Sequence, residues 1–449
     1  MKISRLIIPD FQQFKDFDLD LTYPERHERA GEPLDKVCFI GGNGTGKSTL
    51  LQGVYTQLSA PLNGAIPFWQ KTAIKLKIDS NSYYWIPNAK MGLDASIEEG
   101  NSFRDVLNFL KHGLFVNSIS NYLKDDVRAH FANQNAENER DFLIYCPSES
   151  QYNSYVNFND VPPVSLDKSL SLFEKFPITN IVSNGTVEEF WKLLIYHLKK
   201  RENDFRTFES LPENQIKTVK EVRELFEKQH PDILKSLSDF WNKILAKAGL
   251  EFDYEGAKNP IQLTDNLQAY IRLKNSKEHI GYNQLSTGIR NFIFKLGHIF
   301  ALYFNRNIES GFLLVDEPEN SLFPDFLYGL VDTYVDTAKN TQIFMATHNP
   351  IIAAQFQPYE RFILEFEEGT GHVKVRRGTT PVGDDPNDIL IKDFGIRSIL
   401  GREGVTKWER YIELKTLIPL EHDPAKKNSM IEEFMQIGSD YNFAADAVS

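Results

Sequence analysis

The sequence predicts an α/β protein, with a mixed central sheet flanked by helices, a helical insertion and a helical C-terminal tail. Three stretches carry that expectation. The apolar run Lys36-Val37-Cys38-Phe39-Ile40 enters a glycine-rich turn, and Thr49-Leu50-Leu51-Gln52-Gly53-Val54-Tyr55 leaves it with helical character. Phe312-Leu313-Leu314-Val315 is uninterrupted in its apolarity, as a strand buried on both faces must be, and it stops at Asp316-Glu317-Pro318. Gln342-Ile343-Phe344-Met345-Ala346 is another such run, with the polar tip Thr347-His348. Strands that end abruptly in polar groups are where an open α/β sheet offers side chains to a ligand.

The remaining elements fit around these three. Ile3, Leu6 and Ile8, then Phe14, Phe17, Leu19 and Leu21, are spaced by polar residues, predicting a strand pair that feeds the strand at 36–40. Asp16, Asp18 and Asp20 then share one strand face, where solvent is the expected neighbour rather than a metal. Residues 73–78 and 82–86 read as a hairpin, 103–115 as a helix, and Asp141-Phe142-Leu143-Ile144-Tyr145-Cys146 as a buried strand ending in Pro147 and the polar loop 148–152. Between 161 and 258 the texture becomes helical and charged, with helices expected at 187–198, 215–229 and 232–248. The strand-like residues 269–273 are expected to return the chain to the sheet domain. The helix at 291–304, the two apolar strands above and a closing hairpin at 361–376 complete it. The division is therefore 1–160, 161–258, 259–380 and 381–449.

Composition narrows the class. The chain has 449 residues, enough for two or three domains, with 41% hydrophobic and 25% charged residues, as in ordinary globular proteins. It holds no run of about 18 apolar residues and no signal-peptide pattern at its start, so a soluble, cytoplasmic protein without a membrane partner is expected. Cys38 and Cys146 each sit in an apolar run and read as buried core thiols. A formal charge of −12 argues against non-specific nucleic-acid binding over the whole surface, although a local basic patch remains compatible with it.

The chemistry is concentrated in four places. Gly41-Gly42-Asn43-Gly44-Thr45-Gly46-Lys47-Ser48-Thr49 has the P-loop spacing between a strand and a helix. Its small residues let backbone N–H groups curl around a polyphosphate at a helix N-terminus. Lys47 adds a point charge for the outer phosphates, and Ser48 is a hard oxygen ligand for Mg²⁺. Asp316, at a strand tip, is suited to hold the same ion, and Glu317 is placed to orient or deprotonate an attacking water. Leu285-Ser286-Thr287-Gly288 precedes a helix, and there Ser286 and Gly288 allow an anion to approach closely; Ser286 alone also reads as an ordinary N-cap. His348, at the tip of the strand after the acidic one, is within the expected reach of a γ-phosphate.

The order of these motifs resembles the ABC-type ATPase heads of the SMC and RecF group. Gly41 to Ser48 looks like Walker A, Leu285 to Gly288 like the signature, Leu313 to Glu317 like Walker B, Glu319-Asn320-Ser321-Leu322 like the D-loop and His348 like the switch histidine; Gln151 falls at the Q-loop position. The resemblance spans both sheet-forming parts, roughly 1–160 and 260–380. It implies ATP and Mg²⁺, with Gly42, Asn43, Gly44, Thr45, Gly46, Lys47, Ser48, Thr49 and Gln151 on the nucleotide. Ser48, Asp316 and Gln151 would serve the metal, and Glu317, Lys47 and His348 catalysis. It also implies a homodimer that sandwiches ATP head to head, with Ser286 and Gly288 acting on the partner's nucleotide, and leaves higher homo-oligomers open.

About 235 residues separate Walker A from the signature, too few for the coiled-coil arms of SMC proteins. The form Asp316-Glu317-Pro318-Glu319-Asn320-Ser321-Leu322-Phe323-Pro324 and the stretch Gly383 to Gly395 resemble compact ATPases of bacterial anti-phage systems, Septu and retron-associated ones first and those of PARIS second. Phe323-Pro324 stands where such proteins often have His-Pro. Residues 349–449 lack the Asp-x-Asp of a Toprim nuclease and any HNH-like pattern. The resemblance thus implies a nuclease effector on a separate chain, HNH for Septu and Toprim for PARIS, with DNA or a phage protein as trigger. The alternatives are a RecF-like repair ATPase and an ATP-dependent assembly scaffold with little turnover. Residues 408–418 form an apolar helical face that suits either an intradomain core or docking of a partner.

Overall fold

The computed structural model describes residues 1–63, 69, 72–78, 81–86, 95–98, 119–120, 141–148, 179–183, 187–255, 271–280, 284–304, 308, 310–383, 385–396, 400–441 and 443. They form two compact units, Met1–Gly383 and Asp384–Ser449. In the first unit the strands run, in chain order, β1 (Lys2–Phe11), β2 (Phe14–Asp20), β3 (Lys36–Gly41), β4 (Ala73–Ile78), β5 (Asn81–Ile86), β6 (Ala95–Glu98), β7 (Ile119–Ser120), β8 (Asp141–Cys146) and β9 (Thr179–Ile181). They continue with β10 (Leu250–Phe252), β11 (Ile271–Leu273), β12 (Ser310–Asp316), β13 (Gln342–Ala346), β14 (Arg361–Phe366) and β15 (Val373–Arg377).

A seven-stranded sheet has the order β15-β14-β3-β13-β12-β8-β9, parallel throughout except for the hairpin partner β15. The central strands are buried on both faces, which explains their unbroken apolar runs. A second, antiparallel sheet follows β2-β1-β4-β5-β6-β7. The expected mixed α/β architecture is therefore present. The expected N-terminal strand pair precedes β3 in the chain, and β1 and β2 belong to the antiparallel sheet, which lies across α1 (Lys47–Asn63) from the parallel one. Leu50, Leu51, Val54 and Leu58 of α1 share a core with Ile3, Leu6 and Ile8 of β1 and with Phe39, Phe312 and Phe344 of the parallel sheet.

Gln342 ties the two sheets. Fully buried at the start of β13, it accepts from the Ile3 amide at 2.7 Å and donates to the carbonyls of Ile3 and Leu34, each at 2.8 Å. On β2, Phe17 and Leu19 point into the core while Asp16 and Asp20 are exposed, and Asp18 is held by Arg5 at 2.5–2.7 Å. The middle carboxylate of the row is thus in an ion pair and the outer two face solvent.

The charged middle of the chain forms the helices Val187–Glu209, Val219–Gln229 and Ile233–Leu245. Thr218 and Glu221 make a capping box that fixes the start of the second. The first and third pack on Thr287–Tyr303, where Phe240 stacks on Phe300 at 5.2 Å between ring centres and His197 meets Phe304 at 5.4 Å, while Phe226 of the second packs on Phe205 and Phe208 of the first. Ile271 to Leu273 is a strand, as expected, and within the first unit it pairs with β10 in a two-stranded ribbon. The predicted helix at 103–115 lies outside the described residues.

In the second unit Asp385 caps Pro386–Lys392, and the helices Arg402–Leu417 and Pro424–Asp440 close around Tyr411, Leu414, Ile437 and Phe443. Tyr411 stacks on Phe434 at 4.2 Å, and Arg410 pairs with Glu433 at 2.8 Å. Residues 408–418 thus supply much of this unit's own core.

Candidate functional site

The tips of β3, β12 and β13 converge because parallel register sets them side by side: Cys38 lies opposite Met345, and Asp316 opposite Ala346. The turn after β3 needs glycine at specific points. Gly41 has φ +150°, and a Cβ there would stand 2.3 Å from the Leu364 carbonyl; at Gly46, φ +93°, it would stand 2.4 Å from the Phe14 ring. Gln13, at the β1–β2 turn, donates to the Gly44 carbonyl at 3.3 Å, so the antiparallel sheet braces the loop. Gly42, Asn43 and Gly44 are exposed, Thr45 is buried with its hydroxyl on the Gly42 carbonyl at 2.9 Å, and Thr49 is half-buried.

Lys47 is 5% exposed, and its ammonium donates to the carbonyls of Gly41 and Gly42 at 3.0 Å each. Burial pulls its pKa down to about 8, against the opposing pull of Asp316, Glu317 and Glu319. All three carboxylates are near enough to the lysine to act on its charge. Asp316 is 2% exposed at the end of β12. Glu317 follows in the left-handed region, φ 49°, an unusual conformation for a residue with a side chain, and its amide donates to the Ala346 carbonyl at 2.9 Å. Burial raises the Glu317 carboxyl above its ordinary range, Asp316 adds to the rise, and Lys47 and Lys295 oppose it. His348 is exposed; desolvation and the Lys47 charge lower its pKa while Asp316 resists.

Ser286 caps the Thr287–Tyr303 helix, its hydroxyl accepting from the Ile289 amide at 3.3 Å. Gly288, two residues on, is buried against the loop after β12: a Cβ there would stand 1.9 Å from the Ser321 carbonyl oxygen. Further along the same helix, Lys295 donates to the Pro147 carbonyl at 3.4 Å and lies near enough to Glu317 to act on its charge. The Leu285 to Gly288 turn thus adjoins the acidic loop, and its helix reaches Glu317. Gln151 lies outside the described residues.

Sequence reasoning placed Lys47, Asp316, Glu317 and His348 together, and they share one electrostatic neighbourhood. It did not single out Lys295, Gln13 or Thr347, and it took Glu319 only as part of a loop. A third carboxylate directly after Pro318 was the available signal for Glu319, and a place beside His348 in the polar strand tip the one for Thr347; Lys295 and Gln13 come from sequence-distant elements and left none.

The residues fit Mg²⁺. Ser48 is exposed at the first turn of α1, and its hydroxyl and the Asp316 carboxylate are hard oxygens; this ion keeps waters and phosphate oxygens as its other ligands and asks for no all-protein cage. When bound, it would neutralise charge on phosphate oxygens. The two cysteines take no part in this chemistry: both are free and buried, and burial pushes Cys146 up to about 12.

Residues 1–353 match the family model for the AAA ATPase domain. No curated protein sequence matches the chain. Among solved structures, the fold is similar to an Smc head bound to the C-terminal winged-helix domain of ScpA, at 12% identity and a TM-score of 0.38, covering 84% of this chain and 98% of that one. It is also similar to the SMC head domain from Thermotoga maritima, at 11% identity and a TM-score of 0.39, covering 85% and 100%. Among the described residues no helix is long and apolar enough to cross a membrane.

Proposed function

Since the chain belongs to the AAA ATPase domain family, we propose that it binds Mg²⁺-ATP on the Gly41 to Thr49 loop and hydrolyses it as an ABC-type head of the SMC and RecF kind. Lys47 holds the outer phosphates, and Ser48 and Asp316 hold the ion. Glu317 orients the attacking water, and His348 contacts the γ-phosphate. Work of this sort is mainly positioning and charge neutralisation.

The observation that carries the reading is the buried Lys47, whose ammonium sits on the Gly41 and Gly42 carbonyls within electrostatic reach of Asp316, Glu317 and Glu319. A desolvated ammonium in a glycine loop with carboxylates near enough to act on its charge is an arrangement that polyphosphate with a divalent cation completes electrostatically. Two heads closing face to face would place each Ser286 and Gly288 on the other's nucleotide. In the cell the dimer would act as the cytoplasmic sensor and scaffold of an anti-phage complex, holding a separate HNH or Toprim nuclease until DNA or a phage protein triggers release. Support for that role comes from the Asp316 to Pro324 stretch.

Two assays test the proposal. Single-turnover hydrolysis by the purified chain should require Mg²⁺ and disappear with EDTA. Phage plating on cells carrying this gene with its neighbouring open reading frames should show protection that Lys47→Ala removes. Hydrolysis without protection would leave the ATPase and sink the defence role; no nucleotide-dependent behaviour would sink both.

A further inference from the structure

Glu319 is a third carboxylate in the loop after β12, and the proposed reaction gives it no part. Its Oε1 accepts from the Thr347 hydroxyl at 2.6 Å and from the His348 amide at 3.0 Å. The Thr347 hydroxyl in turn accepts from the Asn349 amide at 2.9 Å. One carboxylate oxygen and one hydroxyl therefore organise three consecutive residues at the tip of β13. Oε2 of Glu319 is buried with no hydrogen-bond partner among the described residues. A serine or asparagine would tie such a turn without burying a carboxylate, and polar groups buried at this cost recur where function demands them.

The same loop turns tightly at both ends. Glu317 and Ser321 are both left-handed, at φ 49° and 62°, the Asn320 amide donates to the Glu317 carbonyl at 3.1 Å, and the Leu322 amide donates to that of Glu319 at 2.9 Å. Ser321 supplies the carbonyl against which Gly288 is packed. A five-residue turn thereby joins the strand tip at Asp316, the switch position His348 and the turn at Gly288.

We infer that Glu319 is a positioning residue for His348: its carboxylate clamps the peptide between Thr347 and His348, aiming the imidazole at the Lys47 and Asp316 site, and it moves with the Ser321 loop on which Gly288 rests. The inference builds on the nucleotide-site reading above. Displacement of Gly288 by an approaching second head would then be felt at His348 through one short loop.

The test uses the full chain with Glu319→Ala, Glu319→Gln, His348→Ala and the double variant Glu319→Ala/His348→Ala. In protein without nucleotide, amide exchange at His348 should accelerate about tenfold or more in Glu319→Ala relative to the Leu313 amide; in Glu319→Gln, whose Oε1 still accepts, it should stay within about threefold. In steady-state hydrolysis, Glu319→Ala should lower kcat about tenfold or more with KM within about threefold, and the double variant should be no slower than His348→Ala alone. Losses that multiply in the double variant, or a loss carried by KM, overturn the positioning role. Unchanged exchange at His348 overturns it without reference to turnover, so the inference is decided even if ATP hydrolysis is not found and the proposed function fails. Should Glu319→Ala not fold, the nearly isosteric Thr347→Val removes one donor from the clamp and is read with the same signs.

Discussion

Gly288 and the Ser321 carbonyl meet backbone to backbone, with only 1.9 Å available to a Cβ. Gly288→Ala must therefore shift either the turn before Thr287–Tyr303 or the loop after β12, since neither contact is the free end of a side chain. Overpacking of this kind costs about 1–3 kcal/mol. The lysine loop is untouched, so ATP affinity of the single head should stay within about threefold. Turnover should fall about tenfold or more, because both candidate halves of a closed site are displaced. Calorimetric ATP binding beside a turnover assay checks this, and equal losses in both would contradict the assignment of Gly288 to closure.

Lys47 is buried with a depressed pKa, so in protein without nucleotide its charge opposes folding relative to an exposed lysine. A proton bound by the unfolded chain up to the ordinary lysine range is released from the folded chain near pH 8, so stability should rise as pH climbs from about 8 to about 10.5 through this group. Lys47→Met should keep or raise the Tm without nucleotide, abolish the upward shift on adding ATP and flatten that alkaline rise. A scan of Tm against pH, with and without ATP, measures all three.

Glu317 has its carboxyl raised by burial and by Asp316. A general base must be ionised, so the acid limb of the kcat/KM profile, which reports the free enzyme, should lie above the ordinary glutamate range and fall away as pH drops through it. Glu317→Gln should retain nucleotide binding, lower kcat by about a hundredfold or more, and accumulate an ATP-bound dimer visible by light scattering. Turnover close to wild type would remove Glu317 from its role.

The parts that were legible in the sequence are those that leave a mark on consecutive residues, even where the cause is distant. Phe312 to Val315 is apolar because β12 is covered on both faces, and Gly41 and Gly46 are glycines because Leu364 and Phe14 leave no room for a Cβ. Alternation showed that β1 and β2 are strands, yet it could not show which sheet they join; that is decided by the packing of Leu50 and Val54 against both sheets and by Gln342 bridging them. Residues 271–273 illustrate the same limit, since a three-residue strand pairs with whatever edge is near, here β10. In the site, Asp316 and His348 could be read because each ends an apolar run. Lys295 could not, because nothing in its own helix, which also carries Arg290 and His298, marks it out, and it gains its role only from acting on the charge of Glu317.

His298 is buried on the inner side of Thr287–Tyr303, and burial lowers its pKa to about 4. The unfolded chain takes up a proton near pH 6.5 while the folded chain resists until about pH 4, so stability is lost as pH falls across that window. The full displacement corresponds to about 3 kcal/mol. His298→Gln, which does not titrate, should lose less stability between pH 6.5 and 4 than wild type by a comparable amount. Urea midpoints for both proteins across this range give the difference directly.

Gln342 makes three hydrogen bonds with no solvent to replace them. Gln342→Leu nearly preserves volume and leaves the Ile3 amide and the carbonyls of Ile3 and Leu34 without those partners. Each such group costs about 1–3 kcal/mol when buried, so a destabilisation of at least about 3 kcal/mol is expected, seen as a lower urea midpoint at unchanged slope. Because this clip joins the antiparallel sheet to β13, the damage should also loosen the β1–β2 turn that braces Gly44 through Gln13, and ATP affinity should fall with stability. A stability loss with wild-type affinity at a temperature where the variant is folded would show that the P-loop holds its shape without help from the second sheet.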